Sequence, residues 1–320
     1  MTLREALLHA EEQLRAGPHP ARARLDAEAL LLHLAGKDRA WLLTHATDPF
    51  GGCTATQYAA LLQRRLRGEP IQYITSACEF YGLPFRVTPA VLIPRPETEH
   101  LVETAIKIAG AMPAQPKPSG APSMASAAGE RHGWETNEPH PAAPPSARHS
   151  SPAQILDIGT GSGAIAIALA HHLPQARVTA IDLSTSALAL AQENAGHNHV
   201  ADRIRFLHGD LLTPVAGETF DLIVSNPPYV ADADRTTLDP EVRDFEPHAA
   251  LFAGPDGLAV YRRLIPAAFA ALAPGGWLLL EIGYGQSESV PALCAAAGFH
   301  RIATTPDLQG IPRVVAAAHP

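Results

Sequence analysis

The sequence predicts an α/β protein: a doubly wound, mostly parallel sheet with an antiparallel last strand, joined to a small N-terminal helical bundle by a β-hairpin bridge. Three observations point there. From residue 153 onward, short apolar runs alternate with helix-length segments, the pattern of strands joined by crossover helices. Those runs end at Gly159, Asp182, Asp210 and Asn226, small or polar residues of the kind found at the carboxyl edge of such a sheet, where ligands bind. Residues 1–68, by contrast, carry apolar positions at helical spacing, interrupted by Gly17-Pro18 and Gly36.

Taken in order, residues 1–70 read as a helical domain. Leu3, Leu7 and Leu14 mark the face of a first helix, and Leu25, Ala29 and Leu32 that of a second. A third helix begins at Trp41. A fourth runs from Tyr58 to Leu66, with Arg64, Arg65 and Arg67 at the negative end of its dipole. Ile71–Thr75 and the stretch from Glu79 through Val87 are rich in aromatic and branched residues and predict short strands, giving a hairpin bridge over 71–92. Residues 93–110 predict a helix leading into the C-terminal α/β domain. Pro94-Arg95-Pro96 stands at its start, and Glu97 and Glu99 lie in its electropositive first turn. Residues 111–152 contain nine prolines and nine alanines but no Val, Ile, Leu or Phe, which predicts a disordered insert with nothing to bury. In 153–320 the expected strands are Ile155–Ile158, Arg177–Ile181, Ile204–Leu207, Phe220–Ser225, Gly276–Ile282, Phe299–Ala303 and Arg313–Ala318. The expected helices are Ala164–His171, Ala187–Ala195 and about Leu258 to Leu272.

Composition removes several function classes. Hydrophobic residues at 46% and charged residues at 18% describe a globular chain. The net charge of −8 is concentrated in residues 153–320, which hold nine Lys/Arg against seventeen Asp/Glu, so a nucleic acid is disfavoured as the main substrate. No apolar run approaches the roughly 20 residues that span a bilayer. The start, Met1-Thr-Leu-Arg-Glu5, lacks a basic segment leading into an apolar one, so no membrane association or secretory signal is expected. Cys53, Cys78 and Cys294 are too scattered for a disulfide framework and fit a cytoplasmic location. Among the sixteen histidines, the pairs His171-His172 and His197/His199 lack zinc-site spacing, so no metal is expected.

Two motifs carry chemistry. Asp157-Ile-Gly-Thr-Gly-Ser-Gly163 lies between a strand and a helix, where glycine lets backbone N–H groups approach a ligand. Asp182 ends the next strand, placed to accept ribose hydroxyls. The spacing is Gly-x-Gly-x-Gly rather than the Gly-x-Gly-x-x-Gly of nicotinamide sites, and Asp157 suits a ligand with an ammonium group and no pyrophosphate. S-adenosylmethionine is such a ligand; the alternative is a tight turn needing glycine for conformation alone. Asn226-Pro-Pro-Tyr229 ends the fourth strand. Two prolines stiffen the turn, the Asn226 side-chain oxygen and the Pro227 carbonyl can accept both hydrogens of a planar –NH2, and Tyr229 can lie against the flat face. An amide nitrogen is a weak nucleophile, so positioning it beside an activated electrophile supplies much of the catalysis. The alternative is a purely structural Asn-Pro-Pro turn.

Asp157–Gly163 together with Asn226–Tyr229 resembles S-adenosylmethionine-dependent methyltransferases that act on planar amino groups, among them adenine-amino nucleic-acid methyltransferases and protein glutamine methyltransferases. These motifs alone leave the substrate open. Glu69–Thr75, Phe80–Phe85, Val91–Glu99, Val224–Tyr229, Glu246-Pro247 and Leu251–Gly257 resemble the HemK/PrmC family of peptide chain release factor glutamine methyltransferases, over roughly residues 1–108 and 153–320. The resemblance implies a Rossmann-like catalytic domain and a helical domain that holds the substrate. It also implies that the methyl group goes to the side-chain amide nitrogen of the glutamine in the Gly-Gly-Gln motif of class-I release factors. It assigns Gly159, Thr160, Gly161, Ser162 and Gly163 to the cofactor loop and Asp182 to the ribose. Asp210 and Leu211 fall beside the cofactor, Leu211 standing where some members carry an aromatic residue. Asn226, Pro227, Pro228 and Tyr229 would hold the glutamine, with Asn226, Pro227 and Tyr229 catalytic and Asn226 also touching the cofactor. It suggests that the helix after Arg95, with Glu97 and Glu99, closes over the cofactor, and a monomer is expected. The rivals are a ribosomal-protein glutamine methyltransferase, which differs in the Pro-Arg-Pro-Glu-Thr-Glu stretch, an adenine-amino methyltransferase, and a binding module without catalysis.

Overall fold

The structure is a computed structural model that describes residues 1–111 and 152–320; the expectation of a disordered insert over 111–152 lies, but for its two end residues, outside the described residues. The first four helices are α1 (Leu3–Arg15), α2 (Ala23–Ala35), α3 (Arg39–Thr44) and α4 (Gly52–Leu66). Each start has a local cause where a cap is present. Thr2 and Glu5 form a capping box on α1, and the Asp38 side chain accepts from Trp41 N at the start of α3. Gly36, in the left-handed region at φ 62°, ends α2. The core face of α2 differs from the expected one. Ala23, Ala27, Leu30 and Leu31 are buried, while Leu25 is 57% exposed. Leu30, Leu31, Leu32 and Leu34 make α2 apolar on more than one side, so periodicity could not choose the face; packing against α1 and α4 does.

Ile71–Thr75 is a correction: it is a helical turn, α5, and not a strand. Pro70 has no N–H to lose at a helix start, and its carbonyl accepts from Tyr73 N at 3.0 Å and Ile74 N at 3.1 Å. The turn sends Ile71 and Ile74 into the bundle core and leaves Tyr73 to donate its hydroxyl to the Val91 carbonyl at 2.5 Å. Burial of this i, i+3 pair outweighs the strand preference of the branched residues. The hairpin itself is β1 (Ala77–Phe80) and β2 (Leu83–Arg86), antiparallel. Tyr81, expected in a strand, is in the two-residue turn with Gly82, at φ 53° and 73°, the left-handed pair of a type I′ hairpin. A short 3-10 turn, Pro96–Thr98, then leads into α6 (Glu99–Ala111).

The remaining elements are β3 (Gln154–Ile158), α7 (Ala164–His172), β4 (Arg177–Asp182), α8 (Thr185–His197), β5 (Ile204–His208), β6 (Phe220–Ser225), α9 (Pro240–Phe245), α10 (Ala259–Ala271), β7 (Leu272–Glu281), α11 (Ser289–Ala296), β8 (His300–Pro306) and β9 (Pro312–Ala318). The strands make a seven-stranded sheet in the order β5-β4-β3-β6-β7-β9-β8. β3 to β7 pair in parallel, and the last strand, β9, runs antiparallel to both β7 and β8. α9 and α11 were not anticipated. Alternation along the strands builds two apolar layers. Ile155, Leu222, Val224 and Leu279 face α6 and α7, while Leu156, Ile223, Leu278 and Leu280 face α10 and α11.

Two polar clamps join the parts. The Asn194 side chain on α8 accepts from Arg86 N at 2.8 Å and donates to the carbonyls of Arg86 at 3.0 Å and Ser162 at 2.9 Å, tying the hairpin to the glycine loop. Arg65, only 2% exposed, bonds Asp26 Oδ2 within the bundle at 2.7 Å and reaches Glu241 Oε1 on α9 at 3.1 Å.

Candidate active site

Strand register sets the site. Ile158 lies opposite Ile181 on one side and Ser225 on the other, and Ser225 lies opposite Leu280. The residues that follow, Gly159, Asp182, Asn226 and Glu281, therefore emerge at one carboxyl edge. The strand order departs in opposite directions from β3, so this edge lies at the switch point where open α/β sheets bind ligands. A cleft of about 490 Å³ opens there.

The glycine loop is closed by backbone hydrogen bonds within the β3–α7–β4 unit. Gly159 N and Thr160 N both donate to the Ile181 carbonyl, at 2.8 and 3.0 Å, and Gly163 N donates to Thr160 O at 2.8 Å. Gly159, Gly161 and Gly163 all have positive φ. The three differ in use. A Cβ on Gly159 or Gly161 would meet nothing within 4 Å, so both leave open space on the cleft side. A Cβ on Gly163 would come within 2.9 Å of Ile167 Cδ1 and 3.1 Å of Ala191 Cβ, so this glycine serves the packing of α7 on α8. Asp182 is held from two sides: Oδ2 accepts from Gly161 N and Oδ1 from Ser184 N, each at 2.8 Å. Asp157 is fully buried beneath the loop, where Oδ2 accepts from the Thr160 hydroxyl at 2.6 Å and Ala166 N at 3.2 Å. Burial pushes its carboxyl up to about 7, and its Oδ1 has no hydrogen-bond partner. On the same side, Asp210 pairs with Arg263, and Leu211 adopts φ 51°, a left-handed conformation uncommon for leucine.

Asn226, Pro227 and Pro228, following the neighbouring strand β6, also line the cleft. The Asn226 Nδ2 donates to Thr98 Oγ1 at 3.1 Å, and among the described residues no group donates to its Oδ1. Thr98 comes from the turn before α6, which also brings Arg95 to the cleft, its guanidinium paired with the buried Glu246. Glu97 and Glu99 do not line the cleft; Glu99 accepts from Tyr81 N at 2.8 Å and fixes the hairpin turn.

Of the predicted residues, Gly159, Thr160, Gly161, Ser162, Asp182, Asp210, Leu211, Asn226, Pro227 and Pro228 line one cleft. Gly163 and Tyr229 do not. Tyr229 turns its hydroxyl toward Glu281 Oε1 at 3.4 Å, and its carbonyl accepts from Gln286 Nε2 at 3.1 Å. Burial beside the Glu281 carboxyl holds the Tyr229 phenol above its ordinary range. Sequence reasoning missed Thr98, Arg263, Glu281 and Gln286. Glu281 had a signal, a lone acid at the end of the apolar run Trp277–Leu280; the others are brought in by the fold. Among the described residues, His19, Asp239 and Glu241 place possible metal-ligand atoms within 4.8 Å of one another, but Glu241 already receives Arg65.

Comparison with known proteins bears on the fold and the family. The family model described as methyltransferase small domain matches residues 146–241, and the PrmC N-terminal domain matches residues 5–75. In fold, the chain is similar to the hMettl16 catalytic domain, with a TM-score of 0.51 at 15% identity over 82% of this chain and 81% of that one. Fold and matched domain thus define a methyltransferase. Over its whole length the chain is 39% identical to the release factor glutamine methyltransferase of Koribacter versatilis, covering 100% of this chain and 99% of that one. It is 42% identical to the protein of that name from Geobacter sulfurreducens, over 92% and 88%. The chain belongs to the release factor glutamine methyltransferase family.

Proposed function

We propose that this protein transfers a methyl group from S-adenosylmethionine to the side-chain amide nitrogen of the Gly-Gly-Gln glutamine in class-I peptide chain release factors. The observation that carries the reading is the Asn226 amide. Its N–H is committed to Thr98, and among the described residues its Oδ1 receives no hydrogen bond, in a cleft that the open glycine loop and the anchored Asp182 also line.

The residues present fit the co-substrate. Gly159 and Gly161 leave room where any side chain would intrude, Ile158, Ile181 and Leu211 supply apolar lining, and Asp182 supplies a carboxylate for ribose hydroxyls. The buried Asp157 holds the loop from beneath through Thr160 and Ala166 N. When bound, S-adenosylmethionine supplies a methyl group on a positively charged sulfur. Asn226 Oδ1 and the Pro227 carbonyl accept the two hydrogens of the glutamine –NH2 and hold its nitrogen in the cleft. Because the two prolines fix the backbone, these acceptors require little reorganisation during transfer. Tyr229 supports the turn through Glu281 and Gln286. The helical N-terminal part, matching the PrmC N-terminal domain, is the surface proposed to hold the release factor. The substrate's place in translation termination puts the reaction in the cytoplasm, with the chain acting as a monomer.

The test is mass spectrometry of a release-factor domain bearing Gly-Gly-Gln after incubation with the protein and isotopically labelled S-adenosylmethionine. One labelled methyl on that glutamine is the expected product. An unmodified glutamine beside a methylated ribosomal protein or adenine would overturn the assignment.

A further inference from the structure

We infer that Glu281, acting through Thr98, is a positioning residue that selects which end of the Asn226 amide faces the substrate. The inference deepens the proposed function and rests on that reading. An asparagine amide has two ends of nearly equal shape, one accepting and one donating, and only the accepting end can hold a substrate –NH2. Something must therefore choose between them. In the structure the choice falls on Thr98, whose Oγ1 receives the Asn226 Nδ2 at 3.1 Å. A hydroxyl can also donate, however, and a donating Thr98 would attract the Asn226 oxygen and turn the –NH2 into the cleft.

Glu281 removes that ambiguity. It sits at the end of β7, 1% exposed, next to both Thr98 and Tyr229. Its Oε2 is buried without a hydrogen-bond partner, and the Thr98 hydroxyl, which accepts from Asn226, is the side-chain donor beside this carboxyl. The buried acceptor and the hydroxyl that can serve it are neighbours. An ionised Glu281 accepts only, so it draws the Thr98 proton toward itself and leaves Oγ1 able only to accept from Asn226. The groups around Glu281 come from every element packed on it. Thr98 and Glu97 lie in the turn before α6, Tyr229 follows β6, Tyr261 on α10 donates to the Glu281 carbonyl at 2.6 Å, and Arg313 on β9 contributes positive charge. A protonated Glu281 becomes a donor itself and releases the constraint on Thr98. Burial pushes this carboxyl up to about 7, so both states are accessible near neutral pH, and methyl transfer increases with pH as Glu281 ionises.

The experiment measures single-turnover methylation of a Gly-Gly-Gln domain from pH 5.5 to 9, with S-adenosylmethionine affinity by calorimetry. The proteins are wild type, Glu281→Gln, Thr98→Val and Thr98→Ser. Expected are a rate that increases through about pH 7 in wild type, and a loss of up to about a hundredfold in Glu281→Gln, the scale that misplacing reacting groups costs. That variant should lose the acid limb and keep cofactor affinity within about twofold. Thr98→Ser, which retains the hydroxyl, should recover most of what Thr98→Val loses. A Glu281→Gln protein with the wild-type rate and an unchanged acid limb overturns the inference. So does a serine variant no better than valine. Wild-type protein that binds S-adenosylmethionine but leaves the Gly-Gly-Gln glutamine unmodified overturns the proposed function instead, and the inference with it.

Discussion

The glycine loop and the Asn226-Pro-Pro228 segment face the same cleft, with Tyr229 turned behind that segment, and the two are held by different kinds of structure. The loop is closed by near neighbours. The Thr160 hydroxyl bonds Asp157 three residues away, and Gly161 N bonds Asp182 twenty-one residues away, across one β-α-β step. The turn is held from afar: Asn226 by Thr98 across 128 positions, Tyr229 by Glu281 across 52 and by Gln286 across 57. A motif closed within one β-α-β unit carries its geometry wherever that unit folds. A motif braced by distant side chains has its composition in the chain but its aim set by the tertiary structure. Cofactor affinity should therefore respond to changes near residues 157–184, and methyl transfer to changes in residues remote from the turn as well.

The largest effect that can break this division is at Asn226. Asn226→Ala removes the acceptor at the reacting nitrogen and should lower single-turnover methylation by about 10²–10³, the loss typical of one preorganised contact. Calorimetry should show S-adenosylmethionine affinity nearly unchanged, and a parallel loss of affinity would mean that the two motifs are not separable. Asp182→Ala is the mirror experiment. It removes charge-assisted bonds worth about 1.5–3 kcal/mol each, so the dissociation constant should increase at least about tenfold. Because Asp182 also anchors Gly161 N and Ser184 N, part of that loss is a loosened loop. At saturating cofactor the rate should return toward wild type.

A smaller effect separates the glycines. Gly163→Ala puts a Cβ within 2.9 Å of Ile167 and 3.1 Å of Ala191 at φ 83°, and should cost about 1–3 kcal/mol of stability in denaturant titration. Gly161→Ala, at φ 55° with nothing within 4 Å, should cost about 1 kcal/mol from backbone conformation alone and show its main loss in cofactor binding. Equal stability losses in the two variants would contradict the packing role of Gly163.

The smallest expected effect is a pH dependence of stability. Burial raises the Glu281 carboxyl from its ordinary 4.5 to about 7 in the folded protein, so between those values the native state holds a proton that the unfolded chain has lost. Stability contributed by this group is therefore present below about pH 4.5 and is lost as the pH increases toward 7. Glu281→Gln should be more stable than wild type at pH 8, by on the order of 1 kcal/mol, with the advantage gone by pH 4.5. Scanning calorimetry at the two pH values checks this, and a variant less stable at pH 8 would show that the carboxylate is better compensated than its unpartnered Oε2 indicates.

What the sequence determined by itself is whatever a few neighbouring residues can enforce. Strands alternating with helices produced the parallel pairing of β3 to β7, and Gly-x-Gly-x-Gly with Asp182 produced the loop, because one β-α-β unit closes that loop with its own backbone and its terminal acid. Asn226-Pro-Pro announced a break at a strand end, and these residues do leave β6 there and line the cleft. Tertiary structure decided the rest. Ile71–Thr75 became helical because Ile71 and Ile74 had a core to enter, and α2 chose its buried face by what packed on it rather than by its own pattern. Tyr229 turned from the cleft toward Glu281, and Thr98, read as part of a helix start, became the partner of Asn226. Side-chain hydrogen bonds between residues 50 to 130 positions apart depend on sheet order and helix placement, and no local pattern encodes them. The sequence therefore carried the chemistry of the site, and the packing of α6, β6 and β7 at one sheet edge set the direction in which that chemistry points.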